Sequence, residues 1–331
     1  MKSKSFRQVE AAIGGMTAEE LSDIQKAIQN REGQVECSLV VRERSATIKN
    51  CPHCGFKASK WGAKDGVPRF KCGNLAKDPM GVKRCGKTFN ALTGTPLAGL
   101  HQSNKHILNA KCMLDGLTVR ETAKKLGVDK DTAFRWRHRF LANFAMHQPK
   151  ILSGLVEADE TFFLESFKGK RKLPAGRVPK KRGMPAKQRG LSKEQIPVLV
   201  ARNRATGETL SIVVASRTAK HIGVELIPRL APDSELISDG ARAYKTLARD
   251  HQIDLRIVPA NKKHKTVGSL HINNVNAFDA RLKGWMHRFR GVATRYLPNY
   301  LGWHRWLDAT RKSKNARKRF LAYAIRDRIV E

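Results

Sequence analysis

The chain is expected to be an α/β protein in which a mixed sheet follows two smaller N-terminal modules, and three observations predict this. Residues 154–259 read first as β-rich sequence and then as alternating helix and strand, the pattern of a mixed sheet. Ahead of it, Cys51, Cys54, Cys72 and Cys85 cluster in a stretch with little periodicity, and residues 103–145 read as three helices. The expected divisions are a helical extension over 1–48, a metal-held ribbon over 49–98, a helical module over 99–148 and the sheet domain over 149–331.

In chain order, residues 17–30 open with a Thr17 cap and Glu20 three positions on, with Leu21, Ile24 and Ile28 at helical spacing, so a short amphipathic helix is expected. The cysteines come next. Cys51-Pro-His-Cys54-Gly55 is a knuckle whose glycine lets backbone N–H groups turn toward two thiolates. Cys72-Gly73 and Cys85-Gly86 supply the second pair, with an insertion between them where two residues would be usual. Tetrahedral Zn²⁺ needs four sulfurs close in space, not in sequence, so a structural zinc ion is expected. Reduced, unliganded thiols are the alternative. His53, between two ligands, reads as solvated or phosphate-facing in preference to a ligand.

Thr118 to Phe140 has the features of a helix-turn-helix: Ala123 where two helices cross, Gly127 for the turn, Val128 as a plug and Asp129 as a cap. Its second helix is expected to expose Lys130, Arg135, Arg137 and Arg139 to DNA while burying Ala133, Trp136 and Phe140. A helical hairpin with solvated basic residues is the rival.

In the sheet domain, a strand is expected over 154–165, then a mobile basic loop over 168–193 that carries Lys180, Lys181 and Arg182 for DNA phosphates. A hairpin turning at 205–207 follows, then a helix over 219–230, a strand over 235–238, a helix over 241–250 and a strand over 255–259. From Asn273 onward the sequence is helical.

The formal net charge of +35, from 64 Lys and Arg against 29 Asp and Glu, is spread along the chain and points to an extended polyanion surface. No run of about 18 or more apolar residues and no apolar signal core occurs, which argues against a membrane and for the cytosol, as does the pattern of six cysteines. Against that basic background, isolated acids at the ends of apolar runs suggest a metal site facing a phosphodiester. Asp159 and Asp239 hold strand-end positions suited to two Mg²⁺ or Mn²⁺ ions. Alternation puts Glu157, Asp159 and Thr161 on one face and Glu160 on the other, so Glu157 competes with Asp159, which is favoured. For Asp239 the competing role is a turn aspartate before Gly240. Asn276, Asp279 and Lys283 share one helical stripe that could bring a carbonyl ligand, an acid and a cation; a surface Asp279–Lys283 ion pair is the alternative.

These residues carry a resemblance. Arg69-Phe-Lys-Cys72, Cys85-Gly-Lys-Thr-Phe89 through Leu97, Val156-Glu-Ala-Asp159-Glu160-Thr161, Ser238-Asp239-Gly240 with Tyr244, and His271-Ile-Asn273 through Asn276 to Lys283 resemble the zinc-ribbon insertion-sequence transposases with an ISXO-like DDE domain. The resemblance implies an RNase H-like catalytic core and Mg²⁺-dependent cleavage and strand transfer on double-stranded DNA with terminal inverted repeats, in a bacterial or archaeal cytoplasm. It casts Asp159 and Asp239 as the first two acids, Asn276 in the third place and Lys283 as the basic residue that follows. Pairing two DNA ends implies a homodimer or higher oligomer. A DNA-binding regulator with a disabled site and a repair or recombination nuclease are the other functions the residues admit. A neutral amide holds Mg²⁺ less strongly than a carboxylate, which leaves Asp279 open as a compensating ligand.

Overall fold

A computed structural model describes residues 4–64, 66–74, 85–99, 103–178, 186, 188, 192, 194–258, 270–311, 313, 316, 319, 320 and 322. The chain divides into two compact units, residues 1–140 with 317–331, and residues 141–316. No helix among the described residues is long and apolar enough to cross a membrane.

In the first unit, α1 (Lys4–Ile13) is followed by α2, which runs from Ala18 to Thr47 and not merely to residue 30. Thr17 caps it reciprocally with Glu20 as the sequence suggests. Ile28, Val35 and Leu39 along the helix are exposed, while Val40 and Val41 near its end are buried. Three antiparallel strands, β1 (Ala58–Lys64), β2 (Val67–Cys72) and β3 (Thr88–Asn90), form the ribbon. Its core is small: Phe70 stacks on Phe89 at 5.8 Å beside Cys51 and Cys72. Three helices follow, α3 (Ser103–Leu114), α4 (Val119–Leu126) and α5 (Lys130–Met146). Thr118 and Glu121 form a capping box on α4, Gly127 closes it at φ 58°, and Asp129 accepts from the Asp131 N–H at 2.7 Å to start α5.

The second unit is a five-stranded mixed sheet of order β6-β5-β4-β7-β8. The strands are β4 (Leu155–Leu164), β5 (Gln195–Asn203), β6 (Thr209–Val213), β7 (Glu235–Ser238) and β8 (Asp254–Ile257). The first three are antiparallel and the last two run parallel to β4, the mixed α/β sheet the sequence predicts. Asn203 shapes the β5–β6 turn by accepting from the Ala205 and Thr206 N–H groups, and Gly207 completes it at φ 72°. Alternation along β4 sorts the two faces. Val156 and Ala158 pack with Leu199, Ala201 and Leu236 under α6 (Ala219–Leu226) and α7 (Arg242–His251). Glu157 points to the opposite face, toward α8 (Asn273–His287), beside which α9 (Leu297–Thr310) packs against β6.

The basic segment expected to be mobile over 168–193 is tied at its start. Ser166 and Thr294 exchange hydrogen bonds, Lys168 Nζ donates to the Gly291 carbonyl at 2.7 Å, and Arg177 pairs with Glu165 at 3.1 Å. Most of the rest of the segment, Lys180, Lys181 and Arg182 included, lies outside the described residues.

On α9, His304 is buried against Phe278 at 4.9 Å and Trp285 at 5.4 Å. Burial, reinforced by Arg281 and Arg202 and opposed by Asp308, pushes its imidazole down to about 4. The unfolded chain therefore takes up this proton first as pH falls, so stability is full above the unfolded value and drains away toward the folded one. Between pH 7 and pH 5 this group should remove about 2 kcal/mol. Denaturant midpoints across that range should fall more steeply for the wild type than for His304→Gln.

Candidate functional site

Parallel pairing builds the acid site. Glu157 on β4 is registered with Ile237 on β7, so continuing the same register sets Asp159 across from Asp239. Both then lie just beyond the last paired residues of two neighbouring parallel strands. Asp159 is half-buried and accepts from the Glu160 N–H at 2.7 Å. Burial pushes its carboxyl up, and Asp239 pushes it further, while Lys283 and Arg217 pull it back. Sequence reasoning missed Arg217, which stands over the Phe162 ring at 5.7 Å and has no motif around it.

Asp239 is exposed at the end of β7 and accepts from the Ala241 N–H at 3.0 Å, so it also shapes the turn into α7. The following Gly240 is required there. Its φ is 79°, and a Cβ would lie 2.4 Å from Ile257 Cγ2 on β8. Gly240→Ala should cost about 1–2 kcal/mol through backbone strain alone and shift the Asp239 carboxylate; urea midpoints would read the cost.

Glu157, the competitor of Asp159, is fully buried and already engaged. It accepts from the Asn274 N–H at 2.8 Å, the Val275 N–H at 3.0 Å and the Asn274 side-chain amide at 2.8 Å, and pairs with Arg204 at 2.8 Å. It anchors the positive end of α8 and has no free oxygen to offer a metal. Glu160 lies on the opposite face, where the buried Tyr244 hydroxyl on α7 donates to it at 2.7 Å. That bond joins the strand bearing Asp159 to the helix directly after Asp239.

On α8, the buried face is Val275, Phe278, Asp279, Leu282 and Met286. Asn276 and Lys283 are exposed beside it. The structure therefore separates the two candidates for the third position, with the acid buried and the amide outside. Burial, and then the Asp159 charge, push the Asp279 carboxyl up to about 7, with Lys283 opposing. An open surface ion pair, the alternative for Asp279, is incompatible with its 7% exposure. Among the described residues no group of three acids closes tightly around one point.

The four cysteines do close tightly. Their sulfurs lie within 4.8 Å of one another, with Cys51 to Cys85 at 3.8 Å and Cys54 to Cys72 at 3.5 Å. A tetrahedron of thiolates about 2.3 Å from a zinc ion has edges of about 3.8 Å, so the set has room for one ion. The His53 N–H faces Cys51 Sγ at 3.4 Å and the Asn74 N–H faces Cys72 Sγ at 3.3 Å, while the His53 side chain is outside the cluster.

On α5 the DNA-facing expectation is corrected in part. Lys130 and Arg135 are exposed. Arg137 is 1% exposed, and its guanidinium donates to the Leu117 carbonyl at 2.6 Å and the Thr122 hydroxyl at 3.2 Å. Position 137 falls on the same buried stripe as Ala133 and Phe140, so the arginine serves as a cross-brace of the helical module. Arg139 is half-buried and donates to the Ala98 carbonyl. Trp136 is half-buried against Cys112 and Leu126. Arg120, Lys124 and Lys125 on α4 are exposed and add cations to the same module.

Residues 151–306 match the ISXO2-like transposase domain family, and residues 109–144 match the homeodomain-like family of helix-turn-helix domains. A relative described as an uncharacterized protein in transposable element ISH50 of Halobacterium salinarum is 26% identical over 257 residues, covering 76% of this chain and 82% of that protein. Among solved structures, a chain of the simian T-cell lymphotropic virus intasome in complex with PP2A regulatory subunit B56 gamma overlaps 60% of this chain and 67% of its own, at 12% identity and a TM-score of 0.30. A chain of a pre-cleavage Mos1 transpososome overlaps 68% of this chain and 80% of its own, at 12% identity and a TM-score of 0.26.

Proposed function

We propose that the chain is a DNA transposase that cleaves insertion-sequence ends and joins them to target DNA, a reading supported by the match of residues 151–306 to the ISXO2-like transposase domain family. The observation that carries this reading is the β4–β7 register, which sets Asp159 beside Asp239 at the mouth of the sheet, with the Lys283 charge reaching Asp159.

Two adjacent carboxylates in a chain of net charge +35 fit divalent cations, since the Asp239 charge adds to the cost of ionising Asp159 until a cation sits between them. Asp159 and Asp239 would hold Mg²⁺ or Mn²⁺ together with a ligand from α8. When bound, such ions supply an activated water and neutralise charge on the leaving 3′ oxygen. Lys283, beside Asp159 and Asp279, would steady the scissile phosphate. Glu157 keeps α8 in place over β4. The freed 3′ hydroxyl then takes the place of water as nucleophile, exchanging one phosphodiester for another without ATP.

The helix-turn-helix would read the terminal inverted repeat through Lys130 and Arg135, and Lys180, Lys181 and Arg182 would add salt-dependent phosphate contacts. Pairing of two ends calls for a dimer or larger assembly, and the setting is the bacterial or archaeal cytoplasm at the nucleoid. The cysteine cluster would hold one structural Zn²⁺. Elemental analysis of the purified chain should give about one zinc per chain, and Cys72→Ser should lower both zinc content and DNA affinity.

The test is an incubation of the full chain with Mg²⁺ or Mn²⁺ and DNA that carries or lacks the element's terminal repeats. Cleavage and joining confined to repeat ends are expected. Binding without either reaction would favour a regulator, and cleavage without preference for ends would favour a nuclease.

A further inference from the structure

We infer that the exposed apolar stripes of α1 and α2 form the face on which a second copy of this chain docks, so that two copies pair before DNA is bound. The inference goes beyond the reading above and would hold for a chain that cuts nothing.

Charge sets this segment apart. Residues 1–47 hold seven Lys and Arg against seven Asp and Glu, so the whole excess of +35 arises after them. Binding to a polyanion draws on an excess of cations, which residues 1–47 lack, so DNA is a poor occupant for this face. A second copy is a good one. Two chains of +35 repel each other wherever their basic surfaces approach, and a neutral segment is where they can meet with least repulsion.

Apolar exposure is concentrated in the same place. Among the described residues fifteen large apolar side chains are exposed, and six of them, Phe6, Val9, Ile13, Ile28, Val35 and Leu39, lie on these two helices. A concentration of this kind marks a contact surface, whereas single exposed apolar residues are ordinary. Along α2, Leu21, Ile24, Ile28, Val35 and Leu39 advance by three, four, seven and four residues, and on α1 Phe6, Val9 and Ile13 advance by three and four. That spacing keeps each set on one side of its helix, and from Leu21 to Leu39 the stripe on α2 is about 27 Å long. Leu21 and Ile24 are half-buried, and only at Val40 and Val41 is the helix buried in its own unit. Helices draw most of their stability from packing such a face, so the part of α2 before residue 40 lacks most of what would hold it.

The three-four spacing also suits an identical partner, because side chains repeating in this way on one helix fit between those of another with the same repeat. Exposed Glu19, Glu20, Lys26, Glu32 and Arg42 put both signs of charge along α2, so two such helices can set unlike charges together.

The test is the mass of the full chain, free of nucleic acid, by sedimentation equilibrium at micromolar concentration in low and in high salt. Wild type should sediment at twice its 37.1 kDa, and more completely in high salt, which screens repulsion between the basic surfaces. Ile28→Asp combined with Val35→Asp should raise the dissociation constant by about a hundredfold or more while a cooperative melt remains, both positions being exposed. Val224→Asp, at an exposed apolar position on α6, should leave it within about threefold. Wild type at the single-chain mass in both salts, a double variant that pairs as wild type does, or equal weakening by Val224→Asp would overturn the inference. So would pairing that dissolves in high salt, the mark of residual DNA bridging two basic chains. With no DNA or metal present, failure here leaves the catalytic reading standing, and a chain that pairs in this way yet cleaves nothing would fail that reading alone.

Discussion

Asp159→Asn is expected to lower strand cleavage by roughly three orders of magnitude, the scale on which losing a preorganised charged group acts, while DNA binding and folding persist. The amide keeps the size of the side chain and an oxygen to accept the Glu160 N–H, so the change is confined to charge. Burial and then Asp239 raise the cost of ionising Asp159 in the absence of a cation, so removing that charge should leave the melting temperature unchanged or higher. Asp239→Asn should match it in cleavage, as its neighbour across the parallel pair. Single-turnover cleavage of an end-containing duplex, read beside a melting curve, checks both halves. Full activity in either variant would remove the pair from the chemistry.

Glu157→Ala is the second large effect, and it appears in stability first. The substitution strands Arg204 without its carboxylate and leaves the Asn274 and Val275 N–H groups unmet in a buried place. Losing one partner of a buried pair costs about 3–5 kcal/mol, enough to consume much of a domain's margin. Glu157→Gln keeps one acceptor oxygen and should fall between Ala and wild type. The contrast with Asp159 is the diagnostic part: Glu157 variants should lose folding and activity together, whereas Asp159 variants lose activity alone. A Glu157→Gln chain of full stability that binds no metal would reverse the roles assigned to the two acids.

These two acids also show where the sequence was readable. Alternation placed Glu157 and Asp159 on one face correctly, and the hairpin, the 235–238 strand and the Gly127 turn were written in local residue chemistry. Which of the two acids was spent on an N-terminus was not written there, because Asn274 and Val275 are 117 and 118 residues away. Arg137 was misread for a related reason. Charge suggested an outward side chain, but the Leu117 carbonyl and Thr122 hydroxyl that accept its protons come from the preceding turn and helix, and they let a guanidinium occupy an apolar stripe. At α8 the stripe containing Asn276, Asp279 and Lys283 was visible, but not its inner edge. Only packing against β4 decides that the acid faces inward and the amide outward. The long reach of α2 was missed because periodicity reports a buried face, and Ile28, Val35 and Leu39 are exposed.

The run from Glu157 to Glu160 has one more consequence. Three acids within four residues each answer to a different element: α8 for Glu157, the neighbouring strand end for Asp159, and α7 for Glu160. A slip of β4 by a single residue would exchange the two faces and give every one of them the wrong neighbour at once. The reactive centre is thus a property of strand registration, with no smaller piece of the chain that contains it. For the transposase proposed above this arrangement would act as a form of proofreading: an incompletely folded copy, however basic, has not yet assembled the acid pair with which it would cut.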